Sequence, residues 1–329
     1  MYIGQLVRPG ACRARRPRLP GGTPPAGSAR KATIILAALA ALASALQPNC
    51  HAPRSSSARL PRGTIVQRDL SYVKNGHPRQ KLDLYIPKGA QNPPLMIMIH
   101  GGAFTEGDKG EENVAAYVQL GYAVASLNYR FSFDAVFPAQ IEDCKAAVRW
   151  LRANARAYGY DPERFGARGS SAGGYLVTML GVTGGTRAFD VGENLEVSSA
   201  VQAVADRYGP TDFLQMDAHR LPEGQTHGTS DSPESRLIGG NIADNPDKAA
   251  KANPIAYVTA DCPPFVIVHG DRDLLVPHHQ SELLAEALKK AGVPVTLYTV
   301  RGGGHGGFDD PNAEATVRGF FAKYLAPAD

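Results

Sequence analysis

Acidic side chains are absent from the first fifth of the chain. Residues 1–68 contain no Asp or Glu but eleven Lys or Arg, and the remainder of the 329 residues contains 24 basic and 31 acidic side chains. The overall charge of +4 therefore conceals an acidic body. Because nucleic-acid binding needs a cationic surface that neutralises phosphates, this distribution argues against nucleic acid as the main partner of the body.

Cysteine is scarce. Cys12 and Cys50 lie near the N-terminus, Cys144 and Cys262 lie in the body, and no two cysteines form a C-x-x-C pair. This spacing excludes a disulfide framework and a cysteine-based metal site. We expect Cys144 and Cys262 to be small buried side chains. We also expect that the protein needs no metal and no organic cofactor.

Long hydrophobic runs are few. An apolar run at residues 32–46, interrupted by Thr33 and Ser44, follows Arg30 and Lys31. The run is shorter than the roughly 20 residues of a membrane span, and a charged stretch before it is typical of a secretory signal peptide. We therefore predict a targeting leader and linker at residues 1–63, a secreted or periplasmic location, and no stable membrane span in the mature form. The Arg-rich, acid-free composition leaves a mitochondrial transit peptide as the alternative.

Strand and helix patterns alternate through the body, residues 64–329. Strand patterns cover Lys81–Ile86, Leu95–Ile99, 122–127, 164–167, 200–205, 265–268 and Val295–Val300. Helix patterns cover 111–120, 138–158, 175–180, 281–290 and 313–324. This alternation predicts an α/β domain with a mostly parallel central sheet and helices on both faces. Residues 181–260 are rich in Gly, Asp, Ser and Pro, and we expect them to form a small insertion over the active site and the sheet edge.

A Gly-x-Ser-x-Gly pattern stands between a predicted strand and a predicted helix. It comprises Gly169, Ser170, Ser171, Ala172 and Gly173. A tight turn from strand to helix exposes the central hydroxyl, and the helix N-terminus offers free N–H groups to an oxyanion. Ser171 has a glycine two residues away on either side, and we therefore take it, and not Ser170, as the candidate nucleophile.

A serine hydroxyl is a weak nucleophile and needs a base, and in this kind of fold the partners follow in the order Ser, Asp, His. Asp271 and Asp273 follow the strand that ends near Val268, and His305 lies in a loop with five glycines after the last strand. One of the two aspartates is therefore the expected acid, and the other is expected to form the turn.

A glycine-rich loop follows the strand Leu95–Ile99 and begins with His100 and Gly101. Glycines allow backbone N–H groups to face a ligand, and the N–H of the residue after the nucleophile supplies a further donor. In the oxyanion motif of hydrolases that have a nucleophile turn of this kind, the histidine precedes the donors and is not one of them. We therefore expect His100 to be structural.

Together these segments, with Gln80–Tyr85, Asn128–Arg130, Pro138–Trp150, Tyr208–Asp212 and Ser232–Ser235, resemble an α/β-hydrolase-fold esterase. The likeness is to the bacterial acetylxylan and feruloyl esterase group near the hormone-sensitive-lipase-like enzymes. The resemblance makes Ser171 the nucleophile, Asp273 the acid and His305 the base. It also implies an oxyanion hole formed by the backbone N–H groups of Gly102, Ala103 and Ala172.

The resemblance implies a serine carboxylesterase that hydrolyses short-chain acyl or aryl esters through an acyl-enzyme. The expected partner is a small-molecule or polysaccharide-linked ester, with acetyl or feruloyl groups on plant polysaccharide as candidates. An amide or peptide hydrolase of the formamidase or prolyl-peptidase type is the second interpretation. A non-catalytic hydrolase-fold binding protein is the third, and it requires the loss of a triad member. Because one fold can support many functions, only the residues of the site can distinguish these alternatives.

Overall fold

The structure, a computed structural model, describes residues 59–326. This part contains an eight-stranded sheet with the spatial order β1-β2-β4-β3-β5-β6-β7-β8. The strands are β1 (Ile65–Ser71), β2 (Lys81–Ile86), β3 (Leu95–Ile99), β4 (Ala123–Leu127), β5 (Phe165–Ser170), β6 (Ala203–Arg207), β7 (Phe265–Gly270) and β8 (Val295–Val300). The pairs β1–β2 and β2–β4 are antiparallel, and all other pairs are parallel.

Helices connect the strands. They are α1 (Val114–Gln119), α2 (Ala139–Tyr158), α3 (Ala172–Thr183), α4 (Met216–His219), α5 (Pro233–Ile238), α6 (Pro246–Lys251), α7 (His279–Lys290) and α8 (Pro311–Tyr324). A parallel strand pair needs a crossover connection, and the helices supply it. One apolar cluster packs α2, α3 and α7 on one face of the sheet, and a second packs α1 and α8 on the other. This arrangement confirms the predicted α/β class.

The central strands are buried on both sides. Every residue of β3 and β4 is buried, which explains why their sequences are continuous apolar runs without alternation. Helix α3 is buried along its whole length, with Leu176, Val177 and Leu180 fully enclosed. It therefore lies in the centre of the domain, and its first residue follows the candidate nucleophile directly.

Two sequence predictions need correction. The predicted insertion at residues 181–260 contains the end of α3 and all of β6, which pairs with both β5 and β7 in the sheet. Strand β6 is part of the central layer, because it has parallel neighbours on both sides, and residues 184–202 and the segment between β6 and β7 lie outside the sheet. Cys144 is buried as expected, but Cys262 is only half-buried, near Thr259.

Residues 1–58 of the predicted leader and linker at residues 1–63 lie outside the described residues, so the targeting role of this segment and export remain predictions. Within residues 59–326, no helix combines the length and the apolar character needed to cross a bilayer.

Candidate active site

Ser171 occupies a sharp turn between β5 and α3. Its backbone angles are φ 56° and ψ −121°, a conformation that non-glycine residues adopt only under strain. The Ser171 N–H donates to the Arg207 carbonyl oxygen over 2.9 Å, which ties the turn to the neighbouring strand β6. The strand therefore ends, the chain reverses and the helix starts within two residues, as the Gly-x-Ser-x-Gly pattern predicts.

The two glycines of the pattern permit close backbone contacts. A Cβ atom on Gly169 would lie 2.2 Å from the Gly173 carbonyl oxygen, and one on Gly173 would lie 2.0 Å from the Ile99 carbonyl oxygen. No side chain fits at either distance. The glycines therefore bring the β3 end, the β5 end and the first turn of α3 together beneath Ser171.

A continuous chain of hydrogen bonds joins Ser171, His305 and Asp273. The His305 Nδ1 atom lies 2.7 Å from Asp273 Oδ2, and its Nε2 atom lies 2.9 Å from Ser171 Oγ. A carboxylate can only accept, so Nδ1 carries the proton and Nε2 accepts from the serine hydroxyl. The three residues predicted from sequence are thus brought together, in the geometry that lets an imidazole take a proton from a nucleophile.

Asp273 is buried and held from four directions. Its Oδ1 atom accepts from the Leu275 and Val276 N–H groups at 2.8 and 2.9 Å, and its Oδ2 atom faces His305 and His269. Burial by itself would raise the pKa of the Asp273 carboxyl, but the hydrogen bonds from the two imidazoles hold it well below its usual range. The carboxylate therefore stays charged at neutral pH and supports a cationic imidazole.

Sequence reasoning assigned no role to His269, which follows Val268 directly. Its Nε2 atom lies 3.0 Å from both Asp273 Oδ2 and the Val276 carbonyl oxygen, and its Nδ1 atom lies 2.7 Å from Ser281 Oγ. Two acceptors at Nε2 require a proton there, so Nδ1 accepts from the serine hydroxyl. This fully buried imidazole fixes the position of the Asp273 carboxylate. Its four-residue spacing from Asp273 was the available signal.

Asp271 forms the turn beside the site. Its Oδ1 atom accepts from the Gly302 N–H at 2.7 Å, and its Oδ2 atom lies 3.2 Å from Arg301 Nη1. These contacts join the β7 end to the loop after β8, which carries His305. In the structure Asp273, and not Asp271, therefore contacts the His305 imidazole.

The three predicted oxyanion donors are placed differently from one another. Ala103 and Ala172 line the same cavity as Ser171, but Gly102 is not among the residues that line it in the described part of the chain. The Gly102 carbonyl oxygen accepts from the Thr105 and Glu106 N–H groups and closes the turn, while the Gly102 N–H donates no hydrogen bond within residues 59–326, so its role in the oxyanion hole stays a prediction. Ala103 has φ 51°, in the left-handed region of backbone conformation.

Left-handed backbone at an alanine stores strain of about 1–2 kcal/mol. It also directs the Ala103 amide differently from that of an extended residue. The hydrogen bonds within residues 59–326 include none donated by the Ala103 N–H. The Ala103 and Ala172 amides, whose residues line the cavity with Ser171, are therefore available to receive an oxyanion.

His100 has the structural role expected of it. Its Nδ1 atom donates to the Gly101 carbonyl oxygen over 2.7 Å, Arg79 Nη2 lies 3.2 Å from its Nε2 atom, and its ring stacks on Tyr129 at 4.6 Å. Burial lowers the pKa of His100 to about 4 because it disfavours the charged ring. The neutral imidazole braces the loop that carries Ala103.

A small cavity of about 70 Å³ opens beside Ser171. Its lining residues are Ala103, Phe104, Ser171, Ala172, Pro210, Gln225, His227, Pro233, Glu234, Leu275, Val276 and His305. Five of these come from the segment between β6 and α5 or from α5 itself, and sequence reasoning assigned none of them to the site. The Ser232–Ser235 pattern was the one signal that could have pointed to α5. No group of three metal-ligating side chains lies together within the described residues.

Topology and site together define an α/β-hydrolase fold: a mostly parallel sheet, a nucleophile turn after β5, and acid and histidine loops after β7 and β8. Among proteins of this class, the chain belongs to the BD-FAE family, whose model matches residues 82–288. The match contains Ser171 and Asp273 and ends before His305.

Named relatives agree with this assignment. Over 228 aligned residues, the chain is 32% identical to Esterase LipQ of Mycobacterium tuberculosis. The aligned region covers 68% of this chain and 52% of that protein. The chain therefore spans about half the length of this curated relative. Among solved structures, a truncated carbohydrate esterase from gut microbiota is 32% identical with a TM-score of 0.74, over 82% of this chain and 98% of that one.

A second solved structure is the acetyl ester-xyloside bifunctional hydrolase of Caldicellulosiruptor lactoaceticus. It is 26% identical with a TM-score of 0.59, over 82% of this chain and 95% of that one. These comparisons confirm the fold class and the esterase family predicted from the sequence motifs.

Proposed function

We propose that the protein is a serine carboxylesterase that hydrolyses short-chain acyl esters. The observation that carries this proposal is the hydrogen-bonded chain from Ser171 through His305 to the charged Asp273, beside a cavity with two available backbone amides. The names of the relatives, esterase and carbohydrate esterase, support the same activity.

The reaction begins when Ser171 Oγ attacks the ester carbonyl carbon while His305 Nε2 takes the hydroxyl proton. The negative charge on the carbonyl oxygen is stabilised by the Ala103 and Ala172 amides. The carbon–oxygen bond to the alcohol then breaks, and the imidazolium returns its proton to the leaving alcohol. Asp273 stabilises the imidazolium throughout.

Water completes the cycle. His305 takes a proton from a water molecule, the hydroxide attacks the acyl-enzyme carbonyl, and Ser171 Oγ leaves with the proton from the imidazolium. The products are a carboxylic acid and an alcohol. Apart from the ester and water, the groups that act in these steps are side chains and backbone amides of the chain itself.

The size of the cavity favours small acyl groups. Its volume of about 70 Å³ is far below the roughly 300–1,000 Å³ of pockets for drug-sized ligands. An acetyl group suits this space better than a feruloyl group does. We therefore propose acetyl groups on a small alcohol or a plant polysaccharide as the preferred substrates, with aryl acyl groups as the weaker alternative.

A panel of p-nitrophenyl esters of increasing acyl length, with acetylated xylan and methyl ferulate beside it, tests this function. We expect kcat/KM to be highest for acetate and to fall at least tenfold by octanoate, because each methylene that does not fit costs about 1–3 kcal/mol. Ser171→Ala is the matched control, and it should abolish the activity while Ser170→Ala does not. Preference for octanoate, or hydrolysis of anilides but not esters, would contradict the proposal.

A further inference from the structure

A second pair of ionisable side chains lies in the same cavity as Ser171, and the proposed reaction does not use it. His227 and Glu234 are 1% and 3% exposed, and both line the cavity. The His227 Nδ1 atom lies 2.9 Å from Glu234 Oε2. Buried ion pairs are expensive to desolvate and contribute little to stability by themselves. Their presence next to a nucleophile therefore needs another reason.

The pair is held in position by the backbone around it. The His227 and Gly228 N–H groups donate to the two oxygens of Asp217, both over 2.7 Å. Glu234 lies in the first turn of α5, whose start is capped by the Ser232 side chain. The imidazole and the carboxylate are therefore fixed by separate segments that meet at the cavity.

One nitrogen of this pair has no partner. Within the described residues no hydrogen bond reaches His227 Nε2, although the atom is shielded from solvent. The Leu275 backbone contributes to the raised pKa of the ring, but no group of the described residues meets hydrogen-bond geometry at Nε2. Buried polar atoms normally have a partner, and an orphan beside a substrate cavity indicates that the partner arrives with the ligand.

The chemistry of the orphan nitrogen limits the partner. Glu234 accepts a hydrogen bond from Nδ1, so Nδ1 carries a proton. Nε2 is therefore an acceptor with a free lone pair when the ring is neutral, and an N–H donor when the ring is charged. Burial by itself would lower the pKa of His227, but the contact with Glu234 outweighs it and the pKa is raised. A hydroxyl group can both donate and accept, so it satisfies Nε2 in either form.

We propose that His227, oriented by Glu234, is a specificity-determining residue that hydrogen-bonds a hydroxyl group of the ester bound at Ser171. The substrate class is then a hydroxylated ester, with the hydroxyl on either the alcohol or the acyl side. This inference rests on the proposed esterase function and refines its substrate.

Two matched substrate pairs test the proposal. Glyceryl monoacetate against propyl acetate tests a hydroxyl on the alcohol side, and methyl lactate against methyl propionate tests one on the acyl side. We expect the wild type to prefer the hydroxylated member of at least one pair by about tenfold or more in kcat/KM, mainly through KM, because the orphan nitrogen stays unpaired with the other member. His227→Phe should reduce this preference to within about threefold.

The control is His77→Phe, because His77 is a half-buried residue that pairs with Asp134 away from the cavity. This variant should keep the wild-type preference. If His227→Phe does not fold by circular dichroism, Glu234→Gln keeps the side-chain shape, removes the charge that orients the imidazole, and should lower the preference at least threefold. A preference that survives either folded variant would overturn the proposal, and so would a wild type without preference in both pairs.

Failure of the esterase function itself gives a different result. If the wild type hydrolyses neither propyl acetate nor methyl propionate, nor their hydroxylated counterparts, the proposed function is wrong. If it hydrolyses all four at similar kcat/KM, the esterase stands and only the hydroxyl subsite is refuted.

Discussion

At the scale of single residues, the Asp273 carboxylate accepts from two backbone amides and faces two imidazoles. Sequence position located His305 and restricted the acid to Asp271 or Asp273, because these residues follow strands, and the family resemblance then chose Asp273. Sequence could not place His227 at the site, because the nucleophile Ser171 is far from it along the chain and the segment between His227 and Glu234, which are seven positions apart, shows no regular pattern. Contacts of this kind depend on how the segment between β6 and β7 folds over the sheet, and no local pattern encodes that.

The two aspartates after β7 give a test at this scale. Asp273→Asn should lower kcat by roughly 10⁴-fold near neutral pH, because an amide cannot fix the His305 tautomer or stabilise its charge. Asp271→Asn should lower it by less than about tenfold, because that side chain bonds the Gly302 amide and Arg301 instead. Both variants are measured at saturating ester, with circular dichroism to confirm the fold. A crippled Asp271→Asn beside an active Asp273→Asn would refute the assignment.

At the scale of secondary-structure elements, buried strands were the most predictable. The bounds of β2, β3 and β8 match the sequence prediction, because their apolar runs end at Pro, Gly or charged residues. Strand β1 was missed, since most of its residues are exposed and a bulge interrupts its pairing with β2. Helix α3 starts at Ala172, three residues earlier than predicted, because Gly173 and Gly174 suggested a turn. Tertiary contact overrides their weak helix propensity.

Two glycines that lie in helices allow the energetic effect of close packing to be measured apart from that of helix propensity. Gly173→Ala should destabilise the protein by roughly 1–3 kcal/mol, because the new methyl group would overlap the Ile99 carbonyl oxygen. Gly319→Ala in α8 is the matched control, with no atom within 4 Å of the added Cβ, and should stabilise by roughly 0.5–1 kcal/mol. Urea unfolding midpoints at unchanged m-value measure both. Equal effects of the two substitutions would show that the close contact at the nucleophile turn carries no energetic weight.

At the scale of the whole molecule, the parallel sheet assembles the site. Ser171 and His305 are 134 residues apart in sequence, and Asp273 and His305 are 32 apart. They meet because β5, β7 and β8 run in the same direction and their carboxyl ends lie at one edge of the sheet. The alternation of strands and helices was enough to predict this edge. The path of residues 208–264 across it was not predictable, since short helices and turns carry little periodicity.

The buried His100 makes the free energy of unfolding depend on pH. Its pKa of about 4 in the folded protein is below the ordinary value of 6.5, so the unfolded chain binds an extra proton between these pH values. The contribution of His100 to the free energy of unfolding is therefore fully present above pH 6.5. It is lost as the pH decreases toward 4, by up to about 3 kcal/mol. His100→Gln should remove about one proton from the pH dependence of the free energy of unfolding in this window. Denaturant titrations from pH 4.5 to 7 measure it, and an unchanged slope would contradict the burial effect.

Covalent labelling tests the nucleophile assignment most directly. A fluorophosphonate probe reacts with an activated serine, and peptide mass spectrometry locates the adduct. We expect one adduct, on Ser171, no labelling of Ser171→Ala, and slower labelling of Asp273→Asn because its imidazole is a poorer base. An adduct on Ser170, or labelling that persists in Ser171→Ala, would contradict the central claim that Ser171, His305 and Asp273 form the catalytic machinery.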